Sequence, residues 1–316
     1  MKKKKAILGS TGSIGKTTIK ILKKDHKKVQ IVFLSTNKNI KELAKQVNFF
    51  KVKNVLISDY KKYLEFQSIF KKKKIKIFND INLIKKIFTK RIDYTMCSIT
   101  GLDGLQPTLD AISYSKRVAI ANKESIICAW NLIEKKLKRF NTEFIPVDSE
   151  HFSIWSLLNN TNTKQINKIY ITASGGPFLN WTKNEMINPS AKSALNHPNW
   201  SMGNKISIDS ATLMNKVFEV IEAQRIFNIE KNKFKILIHD KSYIHAIVNF
   251  NNGLSKILTH DTNMEIPIFN TIYYNTNRSI KSNDVNFKIL NNLDLKEVDT
   301  KRFPSVNILK LVPNKI

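Results

Sequence analysis

For its first 145 residues the chain alternates short β-type runs with longer amphipathic stretches, without a break. Ala6–Leu8, Val29–Leu34, Val55–Ile57, Ile75–Phe78, Tyr94–Ile99, Val118–Ala121 and Phe144–Val147 read as strands. Lys16–Lys24 and Ile40–Val47 are among the helical stretches between them. Parallel strands need a crossover, and a helix is the usual one. The alternation therefore predicts an α/β fold with an N-terminal Rossmann-like doubly wound parallel sheet. Beyond Pro146 the texture changes to a short helix, a strand at Ile169–Thr172 and a turn-rich segment from Ser174 to Gly203. A helix around Ala211–Phe227 follows, then runs at Phe234–Ile238 and Tyr243–Phe250 that suggest an antiparallel sheet. This predicts an α+β domain over 146–274. Residues 275–300, rich in Asn, Asp and Lys, read as a linker within a terminal segment 275–316.

The first strand runs into Gly9-Ser10-Thr11-Gly12-Ser13-Ile14-Gly15, with glycines at i, i+3 and i+6. Small residues let the backbone turn tightly and approach a pyrophosphate at the helix N-terminus. Gly15-Lys16-Thr17 matches the end of a P-loop, but the leading glycine of that motif falls on Ser10, so the P-loop reading ranks second. NAD-selective folds place an acid at the end of the second strand. Here that strand ends in Ser35-Thr36-Asn37-Lys38-Asn39, with no acid and one cation, which favours a ribose 2′-phosphate and hence NADPH. An ordinary polar loop ahead of Ile40 is the plainer account of the same residues.

Pro146-Val147-Asp148-Ser149-Glu150-His151 places two carboxylates one residue apart directly after an apolar run. Residues i and i+2 of a strand share a face, and convergent carboxylates repel unless a cation or proton lies between them. Hard divalent ions prefer such oxygen ligands. Taken alone the stretch reads first as a helix N-cap, with Asp148 or Ser149 capping and Glu150 at the positive helix end, ahead of the metal reading.

Composition removes several function classes. The net charge is +28, but only six of the 53 basic residues are arginine, and the lysines are scattered. Nucleic-acid interfaces rely on clustered arginine, so a specific nucleic-acid role is not expected. Two cysteines, Cys97 and Cys128, lie in apolar segments without metal-ligand spacing, which suits buried thiols in a reducing cytoplasm. No apolar run reaches membrane-spanning length, and Ala6-Ile7-Leu8 is too short for a signal-peptide core.

Six ordered motifs closely resemble 1-deoxy-D-xylulose 5-phosphate reductoisomerases. They are Gly9–Gly15, Ala121-Asn122-Lys123-Glu124-Ser125, Pro146–His151, Ala173-Ser174-Gly175-Gly176-Pro177-Phe178, His197-Pro198-Asn199-Trp200-Ser201-Met202-Gly203 and Asp209-Ser210-Ala211-Thr212-Leu213-Met214-Asn215-Lys216. The resemblance is collinear from about residue 5 to about residue 270. It implies reduction and isomerisation of a sugar phosphate to 2-C-methyl-D-erythritol 4-phosphate, in the non-mevalonate route to isoprenoids. NADPH and Mg²⁺ or Mn²⁺, with Co²⁺ a third candidate, would serve as cofactors. It further implies a cytoplasmic homodimer. On this resemblance Asp148, Glu150 and Glu219 are metal ligands, and Ser174, Ser210, Asn215 and Lys216 cradle the substrate phosphate. Lys123, Ser149 and His197 contact the sugar, and Trp200 and Met202 form an apolar flap. Thr11, Gly12, Ser13, Ile14, Asn37, Lys38, Asn39, Asn122, Glu124 and Gly203 line the NADPH site. Spacings of three and four put Asn215, Lys216 and Glu219 on one helical face, where a surface ion pair is the bland alternative. The resemblance divides the chain into an NADPH-binding domain over 1–145 and a metal- and substrate-binding domain over 146–274.

The chain departs from the pattern in places. Asn37 stands where a glycine is usual, Val217-Phe218 replaces a Gly-Leu pair, and Asp240 and Glu265 also differ. The family usually continues into a C-terminal helical domain, whereas this sequence stops at Pro313-Asn314-Lys315-Ile316. The resemblance thus predicts that this domain is absent, with 275–316 as linker and remnant and with weakened stability or activity. A truncated, inactive remnant and, more distantly, a P-loop nucleotide kinase are the alternative functions.

Overall fold

The structure, a computed structural model, describes residues 2–71, 74–88, 90–200 and 203–315. The chain divides into two compact units: residues 1–147 with 268–277, and residues 148–267 with 278–316.

The first unit alternates strand and helix throughout. In order come β1 (Lys3–Leu8), α1 (Ser13–Lys24), β2 (Val29–Thr36), α2 (Ile40–Phe50), β3 (Asn54–Ile57), α3 (Tyr60–Ile69), β4 (Lys76–Phe78) and α4 (Ile84–Ile87). β5 (Tyr94–Cys97), α5 (Leu105–Tyr114), β6 (Arg117–Ile120), α6 (Lys123–Phe140) and β7 (Glu143–Pro146) complete it. All seven strands are parallel, in the order β4-β3-β2-β1-β5-β6-β7. The helices bury one stripe each: α1 buries Gly15, Thr18, Ile19 and Leu22, and α2 buries Ile40, Leu43, Gln46 and Val47. Asn39 caps α2 by accepting from the Glu42 N–H, and Lys51 ends it in the left-handed region. With helices on both faces the middle of the sheet is buried: the last four residues of β1 and every residue of β5 are buried.

Strand order reverses between β1 and β5, where the connections diverge to opposite faces. Open α/β sheets bind ligands in that crevice, outside the carboxyl ends of the strands. Cys97 ends β5 and is buried, which pushes its thiol up to about 12. Cys128 is exposed, so only one of the two thiols matches the expectation; the faces of α6 that pack inward carry Ile126, Ala129, Trp130 and Ile133 instead.

Lys5 sits inside β1, 5% exposed, with its ammonium 4.8 Å from the Tyr94 ring centre. Burial first, and then the nearby Arg117 charge, lower its pKa from 10.5 to about 8. Between those values the unfolded chain holds the proton and the folded chain has released it, so stability rises with pH across pH 8 to 10.5. Below pH 8 the full penalty remains, on the order of 3 kcal/mol. Lys5→Met is therefore expected to raise the urea midpoint at pH 7 and to lose that advantage above pH 10.5. A variant no more stable than the parent at pH 7 contradicts this account of β1.

The second unit carries α7 (Ser149–Leu157), β8 (Ile166–Ala173), α8 (Ala191–Leu195), α9 (Asn204–Ala211), α10 (Met214–Phe227), β9 (Phe234–Ile238), β10 (Ile244–Phe250) and β11 (Ser255–Thr259). α11 (Glu265–Tyr273) follows, its residues from Ile268 onward belonging to the first unit, and then α12 (Phe287–Asn291) and β12 (Lys296–Glu297). The sheet order is β11-β10-β8-β9-β12. The two runs expected to form an antiparallel sheet, β9 and β10, do share one sheet but are not neighbours. β8 lies between them, antiparallel to β10 and parallel to β9, because the helices between β8 and β9 form a crossover. Ile154 of α7 and Val220 and Ala223 of α10 join Ile169, Ile171, Ile236 and Val248 of the sheet in one core.

The expected helix over Ala211–Phe227 is broken: α9 ends at Ala211, and α10 starts at Met214 after Leu213 adopts φ 60°. Of residues 275–316, expected as linker and remnant, 275–277 belong to the first unit and 278–316 to this one. β12 pairs with β9, and Phe303 lies in the core, 3% exposed. No helix of the described residues is long and apolar enough to cross a membrane.

Candidate active site

Asp148 lies at the head of α7, and its Oδ1 accepts from the Glu150 N–H at 3.3 Å, capping the helix. Capping does not compete with ligation here. The same turn brings the Glu150 carboxylate beside Asp148, and α10 delivers Glu219. Oxygens of the three residues lie within 4.8 Å of one another, with Glu150 and Glu219 buried. The Lys216 ammonium bridges the pair, bonding Glu150 Oε1 and, at 2.7 Å, Glu219 Oε2. Lys216 is 8% exposed and Glu219 1%, which excludes the surface ion pair considered from spacing alone. Burial by itself would depress the Lys216 pKa, but Glu150, Glu219 and Asp148 outweigh it and hold the ammonium above its usual range.

Neighbouring side chains fix the trio. Asn215 donates its amide to Glu219 Oε1, and Ser149 Oγ donates to Glu150 Oε2 at 2.6 Å. His151 donates Nε2–H to the Glu219 carbonyl at 2.8 Å and sets Nδ1 3.4 Å from Asp148 Oδ1. Val217, the β-branched departure, is fully buried on the inner face of α10.

Ser174 and His197 form a second pairing in the same unit. Nδ1 of His197 accepts two backbone N–H bonds, from Trp200 at 3.0 Å and Asn199 at 3.2 Å. Nε2 therefore carries the proton and donates to Ser174 Oγ at 3.0 Å. Burial, and secondarily the Lys216 charge, push the His197 pKa down to about 4, so the ring stays neutral. Ser174 Oγ also accepts from the Gly176 N–H at 3.1 Å, which leaves its own hydroxyl proton for another acceptor. Gly175 and Gly176 have φ of 85° and 68°, and a Cβ on Gly176 would lie 2.4 Å from the Ser210 carbonyl. The diglycine thus packs directly against the end of α9. Trp200 sets its ring edge-on to buried His245, 6.1 Å between centres, and His245 stacks on His260 at 3.7 Å. Met202 lies outside the described residues.

In the first unit a cleft of about 570 Å³ opens at the strand-order reversal. Gly9, Thr11, Gly12 and Asn37 line it, as do Ser35, Thr36, Ser98, Ile99 and Thr100. Thr11 and Thr36 share a hydroxyl bond of 2.6 Å, and Gly9 N–H donates to Ser35 Oγ at 2.9 Å. Gly12 caps α1 without a side chain, so the first N–H groups of that helix remain available to an anion. Gly15 is required by contact: a Cβ there would meet the Gly9 carbonyl at 2.3 Å. Lys16 is exposed in the first turn of α1.

Of the other expected cofactor residues, Ser13 and Ile14 form the first turn of α1, and Asn39 caps α2. Lys38 is exposed with Nζ 4.0 Å from Asp59. None of these four is part of the cleft lining, nor are Asn122, Glu124 and Gly203. Asn122 is engaged in structure: it caps α6 through Ser125 N–H and donates to the Ile99 carbonyl and, at 2.7 Å, to that of Gly101. Lys123 is buried in the first turn of α6, and Glu124 is half-buried beside it. Gly203 belongs to the second unit as the N-cap of α9. Ser98–Thr100 had no sequence signal, because β5 becomes the neighbour of β1 only once strand order is known.

Residues 6–130 match the family pattern described as 1-deoxy-D-xylulose 5-phosphate reductoisomerase, and residues 144–227 match that of its C-terminal domain. The chain is 58% identical to the 1-deoxy-D-xylulose 5-phosphate reductoisomerase of Pelagibacter ubique over 99% of its own length and 81% of the relative's. Among solved structures, the reductoisomerase from Zymomonas mobilis in complex with NADPH superposes with a TM-score of 0.89 at 32% identity, covering 98% of this chain and 80% of that one. A reductoisomerase in complex with NADPH, fosmidomycin and magnesium gives 0.89 at 30% identity, covering 98% and 79%.

Proposed function

The chain belongs to the 1-deoxy-D-xylulose 5-phosphate reductoisomerase family, and on that premise we propose that it converts 1-deoxy-D-xylulose 5-phosphate to 2-C-methyl-D-erythritol 4-phosphate with NADPH and a divalent cation. One observation carries the reading: three acidic side chains, two on α7 and its cap and one on α10, converge within 4.8 Å. The donors are all oxygen, which suits Mg²⁺ or Mn²⁺. Three carboxylates this close together repel one another, and a divalent ion among them would offset most of their charge.

A cation held by Asp148, Glu150 and Glu219 would supply Lewis-acid stabilisation of negative charge on substrate oxygen as the carbon skeleton rearranges. The remaining work falls to the side chains. Lys216 lies on the two carboxylates that ligation needs, so its ammonium leaves them when the site fills and moves its charge to the substrate phosphate. Ser174 donates its hydroxyl there, held by neutral His197, and Ser210 and Asn215 complete the cradle. In the first unit the uncapped start of α1 takes the NADPH pyrophosphate and the acid-free end of β2, with Lys38, takes the 2′-phosphate. Asn122 and Lys123 serve through the first turn of α6, and Trp200 with Met202 serves as the flap. Homodimerisation and a cytoplasmic location belong to the same reading and rest on the family resemblance.

The test is consumption of NADPH by the purified, chelator-treated chain given 1-deoxy-D-xylulose 5-phosphate. Turnover is expected only on adding Mn²⁺ or Mg²⁺. Metal-independent turnover would overturn the proposal, as would tight ATP binding lost in Lys16→Ala.

A further inference from the structure

The diglycine turn that carries Ser174 is held from outside by a residue far along the chain. The two N–H protons of Arg302 Nη2 serve three carbonyls of the turn, Leu179 at 2.7 Å and Trp181 at 2.6 Å, with Phe178 at 3.2 Å sharing one of them. Within the turn, Leu179 N–H returns to the Gly176 carbonyl and Trp181 N–H to that of Phe178. The turn is therefore wedged between the Ser210 carbonyl, which leaves no room for a Cβ at Gly176, and the guanidinium.

Arg302 is itself anchored. Its backbone N–H donates to the Asp299 carbonyl, and Phe303 beside it is buried in the core. The residues that follow clamp α10: Ser305 Oγ donates to the Thr212 carbonyl just before the helix. Gln224 near its other end donates to the carbonyls of Pro313 and Asn314, both at 2.9 Å. Lys231 grips the same segment through the carbonyls of Leu309, at 2.8 Å, and Val312. One stretch of chain, 299–314, thus touches both the Ser174 turn and the helix bearing Asn215, Lys216 and Glu219.

We propose that Arg302 is a positioning residue for recognition of the substrate's phosphate, acting through the 178–181 carbonyls on Ser174 Oγ. The inference rests on the reading that Ser174 contacts that phosphate. All three contacts come from the one nitrogen Nη2, so what the turn needs at this point is a positively charged N–H donor at the end of a long side chain. An apolar side chain of similar length leaves those carbonyls unpaired and lets the turn relax, and displacement of about 1 Å at a binding group is costly.

The experiment compares Arg302→Met, Arg302→Lys, Lys231→Met and Ser174→Ala in the full chain. It measures KM and kcat for the sugar phosphate, inhibition by inorganic phosphate, and the NADPH dissociation constant. Arg302→Met is expected to raise KM and the phosphate inhibition constant by about tenfold or more. kcat should fall by less than about threefold and NADPH affinity should stay unchanged, since a uniform binding loss shows in KM. Arg302→Lys, which keeps a donor cation, should stay within about threefold of the parent. Lys231→Met loosens the clamp without touching the turn and should leave the phosphate constant alone. If Arg302→Met is silent while Ser174→Ala raises KM, the Arg302 role is wrong and the phosphate reading stands. Silence in both overturns the two together. An equal rise in Lys231→Met, or a loss confined to kcat, also overturns the role. A circular-dichroism spectrum and melting transition like the parent's certify the fold, and Arg302→Gln replaces the Met variant should that one not be recovered.

Discussion

Glu219→Gln is expected to lower kcat/KM by about a thousandfold or more and to weaken Mn²⁺ binding by at least about a hundredfold, the loss appropriate to a ligand rather than a supporting group. The substitution is nearly isosteric, so the consequence is electrostatic. Glu219 is 1% exposed, and each of its oxygens accepts a bond, from Asn215 and from Lys216. An amide puts an N–H₂ against one of those donors and removes one negative charge from the group. What remains, two carboxylates against one ammonium, has a net charge of −1 and a much weaker attraction for a divalent ion. A circular-dichroism spectrum and melting transition like the parent's in the absence of metal separate this from mere unfolding, while isothermal titration with Mn²⁺ reads the loss of the ligand. Wild-type Mn²⁺ affinity in Glu219→Gln would remove the metal site from the account.

Lys216→Met is expected to act in two opposite directions. The ammonium competes with the cation for Glu150 and Glu219, so removing it should tighten Mn²⁺ binding by about tenfold or more, some 1.4 kcal/mol for each decade. Turnover should nevertheless collapse, because no charge is then left to meet the substrate phosphate. Without metal the variant keeps three buried or half-buried carboxylates and no internal cation, and breaking a buried pair in this way costs about 3–5 kcal/mol. Saturating Mg²⁺ should restore most of that, so the rise in Tm on adding Mg²⁺ is expected to be larger in Lys216→Met than in the parent. A variant that binds Mn²⁺ more weakly than the parent would show that Lys216 helps to build the site instead of guarding it.

The two effects locate what is unusual about this centre. Lys216 does not rest in solvent until needed. It lies buried between Glu150 and Glu219, where its charge offsets their mutual repulsion and keeps an acidic cluster compatible with a stable fold. The left-handed Leu213 immediately before α10, a strained conformation for a buried non-glycine residue, sets the register that places Asn215, Lys216 and Glu219 against Glu150.

The alternation of apolar β-type runs with amphipathic stretches was enough to determine the parallel sheet, because period and crossover length are local properties of the chain. Asp148-Ser149-Glu150 was legible as paired carboxylates for the same reason, and the i, i+3, i+4 spacing on α10 already put Asn215, Lys216 and Glu219 on one face. Whether that face met solvent or another acid was undetermined, since spacing along one helix says nothing about what packs against it. The family resemblance implied that Glu219 reaches Glu150, 69 residues away in the chain; tertiary structure alone put Lys216 between them. It alone made Ser98–Thr100 a wall of the cofactor cleft and bent Arg302 onto the turn that carries Ser174. Each of these depends on strand order or on a long return of the chain. Such contacts are selected by the burial of the whole core and leave no periodic trace in the segments they join.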